Sequence, residues 1–324
     1  MSARLPGPAA AASRRATANR LSSRRTLSHD YGTGTRLDDA GGIMATAAPR
    51  PGTPVGLALV RDAEVLGAEP FFHEFIAGIE RILVPLGVPV LLQVVATVAQ
   101  AGDRMRAWAQ HGQVQGMILI DLLPDDERVA LVRRLRMPTV VIGDPVTAGG
   151  LPTVWTQDDV AMRDVVTALV RGGHTHLGHV AGPAQMAHTI IRRGTFETAA
   201  ASLGARTTSF DGDYSEAAGV RAVASLAALT QRPTALVFDN DVMALGALHE
   251  AARRGLAVPD DLSLVAWDDS ALCQLAAPPL SAVSHDVQEL GELVGHTLAD
   301  ALAGAPTATV NAPPARLTVR GSSR

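Results

Sequence analysis

The sequence predicts an α/β fold of two lobes, each built on a parallel, doubly wound sheet, with several crossovers joining them. From residue 55 onward, short apolar runs alternate with stretches whose apolar residues recur at helical spacing, and a second such series begins near Trp155. Repeated βα alternation of this kind implies a parallel sheet covered on both faces. After the second series come return segments at 280–284, 287–303 and 315–319, which suggest a chain that crosses between lobes more than once.

In order, 55–60 reads as a buried strand, and Phe72, Phe75, Ile76, Ile79, Leu83 and Leu86 line one face of a helix. Residues 88–95, 116–120 and 139–142 are further strands, with helices over 102–110 and 125–135 between them. The second series has a helix over 160–170, a strand at 177–180 and helices over 196–203 and 217–229. It then gives a strand at 235–238, a helix carrying Met243, Leu245, Leu248 and Ala252, and a strand at 262–267. The expected N-terminal lobe is 54–156 with 285–314; the C-terminal lobe is 157–284 with 315–324. Residues 1–53 are Ala, Ser, Gly, Pro and Arg with almost no large apolar residues, and predict a disordered basic tail.

Composition excludes several function classes. With 324 residues and 47% hydrophobic content the chain has enough apolar material for one or two sizeable cores. All 28 basic residues are arginine, which removes Schiff-base, pyridoxal-phosphate and Walker-lysine chemistry. A net charge of −4 gives the whole chain no electrostatic footprint for nucleic acid. Cys273 is the single cysteine, so neither an intrachain disulfide nor a thiolate cluster is expected, as in a reducing cytoplasm. No apolar run approaches transmembrane length and no hydrophobic segment of signal-peptide type follows Arg24-Arg25; cytoplasmic localisation is expected.

The densest information lies in 233–269, a strand, helix, strand unit whose strands end in Asp239-Asn240-Asp241 and Asp268-Asp269. Ligands of open parallel sheets bind beyond the carboxyl ends of strands, which puts Asn240, Asp241 and Asp268 where a hydroxylated ligand would be gripped. The run Asn240-Asp241, Met243-Ala244, Gly246-Ala247-Leu248, Gly255, Val258-Pro259, Asp261, Ser263 and Asp268-Asp269 resembles the effector-binding core of the LacI/GalR (lactose-repressor) family of bacterial transcription regulators. The resemblance extends from about Val55 to the C-terminus. It implies a periplasmic-binding-protein-like architecture, a small-molecule effector in the cleft between lobes, and a homodimer. The effector class it implies is a sugar or polyol, with a nucleoside as a further possibility.

The same resemblance places individual residues. The stretch Gly182-Pro183 through Phe196 is similar to the family's effector-binding segment, with His188 at its serine position, Arg192 at its arginine and Thr195 at its glycine. A planar guanidinium donates to two adjacent hydroxyls, which a lysine does not match. Glu69-Pro70-Phe71-Phe72 is similar to the family's NPFF, so an aromatic face meets the cleft; Phe72 also fits the helix core, which leaves Phe71 as the better contact. Asp158, beside Trp155 and Gln157, stands at the expected crossover. The expected effector residues are therefore Arg192, Asp268, Asn240, His188, Phe71, Phe72 and Asp158. Arg192→Ala and Asp268→Ala are each expected to abolish effector binding without unfolding the chain.

Other features read as structure. Asp121 and Asp144 end strands and are expected to cap the following helices. His174, His176 and His179 lack metal-ligand spacing and read as structural histidines; neither metal nor cofactor is expected. Asp239-Asn240-Asp241 is reminiscent of a phosphatase DxD loop but lacks the Gly-Thr that should follow, and no nucleophile elbow or dinucleotide fingerprint is present, so the chain is expected not to be an enzyme. Residues 1–53 show neither the amphipathic three-helix pattern nor the hinge of the family's DNA reader. Three expectations compete there: a regulator that lost its reader, a start or frame that replaces the true N-terminus, or a sensor core acting through a partner. Operator DNA as a partner is left open.

Overall fold

The structure, a computed structural model, describes residues 35–37, 43–45 and 49–324. The expected tail over 1–53 therefore falls largely outside the described residues. Within it β1 (Thr35–Leu37) pairs antiparallel with β2 (Ile43–Ala45). Residues 49–53 are tied to the body by Gln115, whose amide donates to the carbonyls of Arg50 and Thr53 and accepts from Arg50 N.

Twelve strands form two six-stranded sheets. The first has the order β13-β7-β6-β5-β3-β4, from β3 (Val55–Val60), β4 (Val90–Val95), β5 (Gly116–Leu119), β6 (Thr139–Ile142), β7 (Thr153–Trp155) and β13 (Thr309–Asn311), and all its pairings are parallel. The second has the order β14-β12-β11-β10-β8-β9, from β8 (His176–Ala181), β9 (Arg206–Asp211), β10 (Ala235–Phe238), β11 (Ser263–Trp267), β12 (Ser281–Ser284) and β14 (Arg316–Thr318); only β14 runs antiparallel to its neighbour. The two-lobed, doubly wound α/β fold is thus the observed one.

Each sheet buries both faces, as strand periodicity requires. In β3, Val55, Leu57 and Leu59 enter one core while Ala58 enters the other. The first of these cores lies under α2 (Phe71–Leu83) and α10 (Val287–Leu302), the second under α3 (Val98–Gln110) and α4 (Glu127–Leu135). In the second lobe, α5 (Asp158–Arg171) and α6 (Ala187–Ser202) cover one face, and α7 (Glu216–Ser225) with α8 (Asp241–Arg253) the other. Side chains set several helix starts: Thr97 caps α3, Asp126 α4, Asn240 α8 and Asp286 α10.

The sequence pattern is incomplete in instructive places. Helix α6 begins at Ala187, nine residues before the predicted 196, because Ala187-His188-Thr189-Ile190 has no apolar stripe. Strand β9 was not anticipated: Arg206-Thr207-Thr208-Ser209-Phe210-Asp211 is a largely exposed edge strand without an apolar run. The short α1 (Ala63–Ala68), α9 (Ala271–Leu275) and β13 lack periodicity for the same reason of length.

Three crossovers link the lobes, at 156–157, 285–286 and 312–315, and α10 packs on α2 in the first lobe although it follows β12 of the second. The lobes also touch across the cleft. Ala187 N donates to Leu122 O at 2.8 Å, and Val65 and Leu123 pack against the second lobe's core. Among the described residues no helix is long and apolar enough to cross a membrane.

Candidate functional site

Carboxyl ends of strands from both sheets face one another across the cleft. Arg61 follows β3, Asp121 follows β5 by two residues, Gly143 follows β6, Asp239 and Asn240 follow β10, and Asp268 follows β11. Together with Thr156 and Asp158 from the first crossover and His285 from the second, they enclose a cavity of about 100 Å³.

Three of its lining residues, Asp121 (φ 54°), Tyr214 (φ 67°) and Asp268 (φ 65°), hold left-handed backbone conformations that non-glycine residues rarely adopt. Such conformations cost on the order of 1–3 kcal/mol each and persist where the surroundings over-determine them. Among the described residues, half of the six in such conformations converge on one cavity.

Arg192 is the centre of the second lobe's wall. Its Nε donates to Asp158 Oδ2 at 2.9 Å, its Nη1 donates to the carbonyl of Asp239 at 3.2 Å, and its guanidinium lies 4.0 Å from the Trp267 ring centre. Burial works against its charge, but Asp158 and then Asp239 outweigh it and raise its pKa. Asp158 itself is held below the usual carboxylate range: burial opposes ionisation, and Arg192 and the Thr156 hydroxyl at 2.6 Å overcome it. Asp239 is lowered to about 2 against its burial by His179 Nε2 at 2.9 Å, by Arg192 and by Gly182 N at 2.8 Å.

Asp268 behaves oppositely. Burial pushes its carboxyl up to about 7, Arg192 opposes this, and Asp158 and Asp239 reinforce it. His285 Nε2 stands 3.5 Å from Asp268 Oδ1, and burial lowers that imidazole. His188 Nε2 meets the Tyr214 hydroxyl at 2.6 Å; burial and then Arg192 lower its pKa.

The first lobe's wall is an arginine between two carboxylates. Arg61 lies 3.1 Å from both Glu69 and Asp121, with Phe72 on one side (5.2 Å) and Tyr214 of the other lobe on another (4.7 Å). Burial pushes Glu69 up to about 7, Arg61 opposes, and Asp121 adds to the shift. Arg61 Nε, Glu69 Oε2 and Asp121 Oδ2 are close in charge yet have no aligned hydrogen bond.

All seven anticipated residues, Arg192, Asp268, Asn240, His188, Phe71, Phe72 and Asp158, line this cavity. Helix α6 explains one pairing, since His188 and Arg192 are four apart and share a face. Their situations differ. Asn240 is engaged already: its oxygen caps α8 through Met243 N, and its amide donates to Tyr214 O and, at 3.3 Å, to Glu69 across the cleft. Phe72 is a core residue, 3% exposed, while Phe71 is half-buried, stacks on Phe75 and meets His285 edge-on.

Two expectations fail. Asp121 caps no helix: Asp126 performs that task, and Asp121 instead pairs with Arg61 across from His188. Asp144 caps a local turn through Thr147 N rather than a helix. Sequence reasoning missed Arg61, Tyr214, Trp267 and His285. Arg61 was findable, because it directly follows β3 and the strand-end rule that selected Asp268 applies equally to it. The histidines diverge: His174 meets Thr234, His176 meets Thr208 and His179 meets Asp239. Asp239 and Asp241 likewise part, the latter turning to the Ser270 hydroxyl.

Comparisons with known proteins show a related fold and family. A periplasmic binding protein-like domain model matches residues 166–323. The chain is 34% identical over 240 residues to the HTH-type transcriptional repressor CytR of Escherichia coli, spanning 73% of this chain and 70% of that protein. Its fold matches a LacI family transcriptional regulator from Bifidobacterium animalis with a TM-score of 0.78 at 29% identity, covering 85% and 98% of the two chains. It also matches the transcriptional regulator CelR in complex with cellobiose, with a TM-score of 0.75 at 25% identity, covering 85% and 86%.

Proposed function

This chain belongs to the LacI/GalR family of transcription regulators, and on that premise we propose that the cavity between its lobes is the effector site and that the signal is a sugar or polyol. One observation carries the assignment. Of ten buried side-chain polar atoms without a hydrogen-bond partner among the described residues, four (Arg61 Nε, Glu69 Oε2, Asp121 Oδ2 and His285 Nε2) belong to residues lining this cavity. The first three are ion-paired through Arg61 at 3.1 Å and His285 Nε2 stands 3.5 Å from Asp268 Oδ1, but none has an aligned hydrogen bond, which buried polar groups normally have. A ligand with several hydroxyls supplies both donors and acceptors to such groups. Phe71 and Trp267 add apolar faces, and the sugar class is supported by the similarity to a regulator bound to cellobiose.

The cleft is closed. A cavity of about 100 Å³ is below the roughly 300 Å³ of ordinary small-molecule sites, so an effector binds when the lobes part and is enclosed as they close. It shifts that equilibrium only through its differential affinity for the closed state. Asp158, at the first crossover, and Arg192, in the second lobe, form the ion pair that closure brings against the ligand. In the regulator this reading describes, closure is transmitted through a homodimer to operator DNA.

The test is a thermal-shift screen of the purified chain against sugars, polyols and nucleosides, because a ligand bound by the native state alone raises the melting temperature. A stabilising ligand whose effect disappears in Asp268→Ala supports the site. A second reading, a sensor core that does not itself bind DNA, accords with the net charge of −4. Salt-dependent, sequence-selective retardation of promoter DNA by this chain would exclude it.

A further inference from the structure

We infer that the cavity takes effectors that are uncharged or carry an amine, and rejects phosphorylated or carboxylated ones. This rests on the cavity being the effector site. Five carboxylates line it, Glu69, Asp121, Asp158, Asp239 and Asp268, against two guanidiniums, Arg61 and Arg192.

Both positive groups are neutralised before any ligand arrives. Arg61 sits at 3.1 Å from each of two carboxylates, and aromatic rings cover its faces. Arg192 is paired with Asp158, lies 3.9 Å from Asp239 Oδ1 and stacks on Trp267. What Arg61 lacks is an aligned hydrogen bond at Nε, which a hydroxyl oxygen accepts without adding charge.

The other usual anion receptors are also spent. No lysine exists in the chain. The two cleft histidines, His188 and His285, are pushed toward their neutral forms by burial. Helix N-termini attract anions through free backbone N–H groups, but α8 is capped by Asn240 and carries Asp241 in its first turn. Ala187 N at the start of α6 is committed to Leu122 O, and α5 opens with Asp158 and Asp159. Burial first, and after it this surplus of carboxylates, displaces Glu69 and Asp268 upward to about 7. An ammonium group relieves that surplus; a phosphate deepens it in a desolvated space, where like charges reject strongly.

The experiment uses matched ligand sets at constant ionic strength on the full chain: glucose, glucosamine and glucose 6-phosphate, the galactose series, and nucleosides with their monophosphates. Every ligand that raises the melting temperature is expected to be neutral or amine-bearing, with its phosphorylated counterpart bound at least about 100-fold more weakly. A phosphorylated member that binds as tightly as its neutral parent overturns the inference. Inorganic phosphate gives a ligand-independent arm. It should not stabilise the wild-type chain beyond sodium chloride, whereas Glu69→Gln with Asp121→Asn, which uncovers Arg61, should gain phosphate-dependent stabilisation. Wild-type stabilisation by phosphate that vanishes in Arg61→Gln contradicts the inference. Neutral-ligand binding that survives unchanged in Asp268→Ala would instead remove the effector-site assignment on which it rests, so the two failures are told apart.

Discussion

Asp268 and Glu69 are carboxyls that the folded chain holds near 7, against ordinary values near 4, because burial and neighbouring carboxylates disfavour their charged forms. A group whose folded pKa is raised contributes stability fully below its unfolded pKa and loses it as pH rises through the folded pKa. The melting temperature of the ligand-free chain should therefore fall between about pH 4 and pH 7, and Asp268→Asn should lessen that fall. An unaltered pH profile in the variant would show that Asp268 does not titrate there. Asp239 has the opposite sign: lowered to about 2 beside His179 and Arg192, it contributes above the ordinary carboxylate pKa and is lost as pH drops toward 2. The environment of Arg192 also revises an expectation. Buried between Asp158 and Asp239, it cannot be truncated harmlessly; Arg192→Ala leaves uncompensated charges and should cost about 3–5 kcal/mol in denaturant unfolding. Asp268→Ala strands no such partner and is the cleaner probe. At this scale the sequence was informative where the chemistry is local, as at Asp268, and silent where it is assembled, as at Tyr214, whose place beside Arg61 depends on a loop that joins β9 to α7.

The elements that hold these residues in place are themselves under tight constraint. Helices α2 and α10 cross at Gly78 and Gly291, where an added Cβ would come within 2.2 Å of Gln288 O and of Phe75 O respectively. Gly291→Val should lower stability by about 1–3 kcal/mol or more through overpacking, read as a lowered urea midpoint; an unchanged midpoint would mean the helices separate freely. The turn from Asp121 to Asp126 is a second constraint. Arg128, 1% exposed, is fixed by Asp126 and donates to Asp121 O at 2.8 Å, while Asp126 also accepts from Leu123 N. That turn carries the Leu122 carbonyl and the Leu123 side chain onto the second lobe, so Arg128→Met should weaken effector closure as well as the first lobe. Strands and long helices were legible because apolar periodicity records them directly. The first half of helix α6 and strand β9 were not, because one presents mixed small and basic residues and the other is an edge strand with no buried residue.

Across the whole molecule, late return segments in the sequence were the clue to two lobes: α10 and β13 rejoin the first sheet and β14 the second. The closed cleft was not legible, since it depends on contacts such as Ala187 with Leu122 and Asn240 with Glu69 that link residues far apart in the chain. A ligand that fills the cavity should add to these contacts and to the packing of Val65 and Leu123 on the second lobe. Isothermal titration of the stabilising ligand from the matched panel into wild-type chain and Asp268→Ala is the most direct test. Saturable one-site binding to the wild type is expected, with at least about 10-fold weaker binding to a variant that still melts cooperatively; equal affinity in both would mean that this cleft is not the effector site.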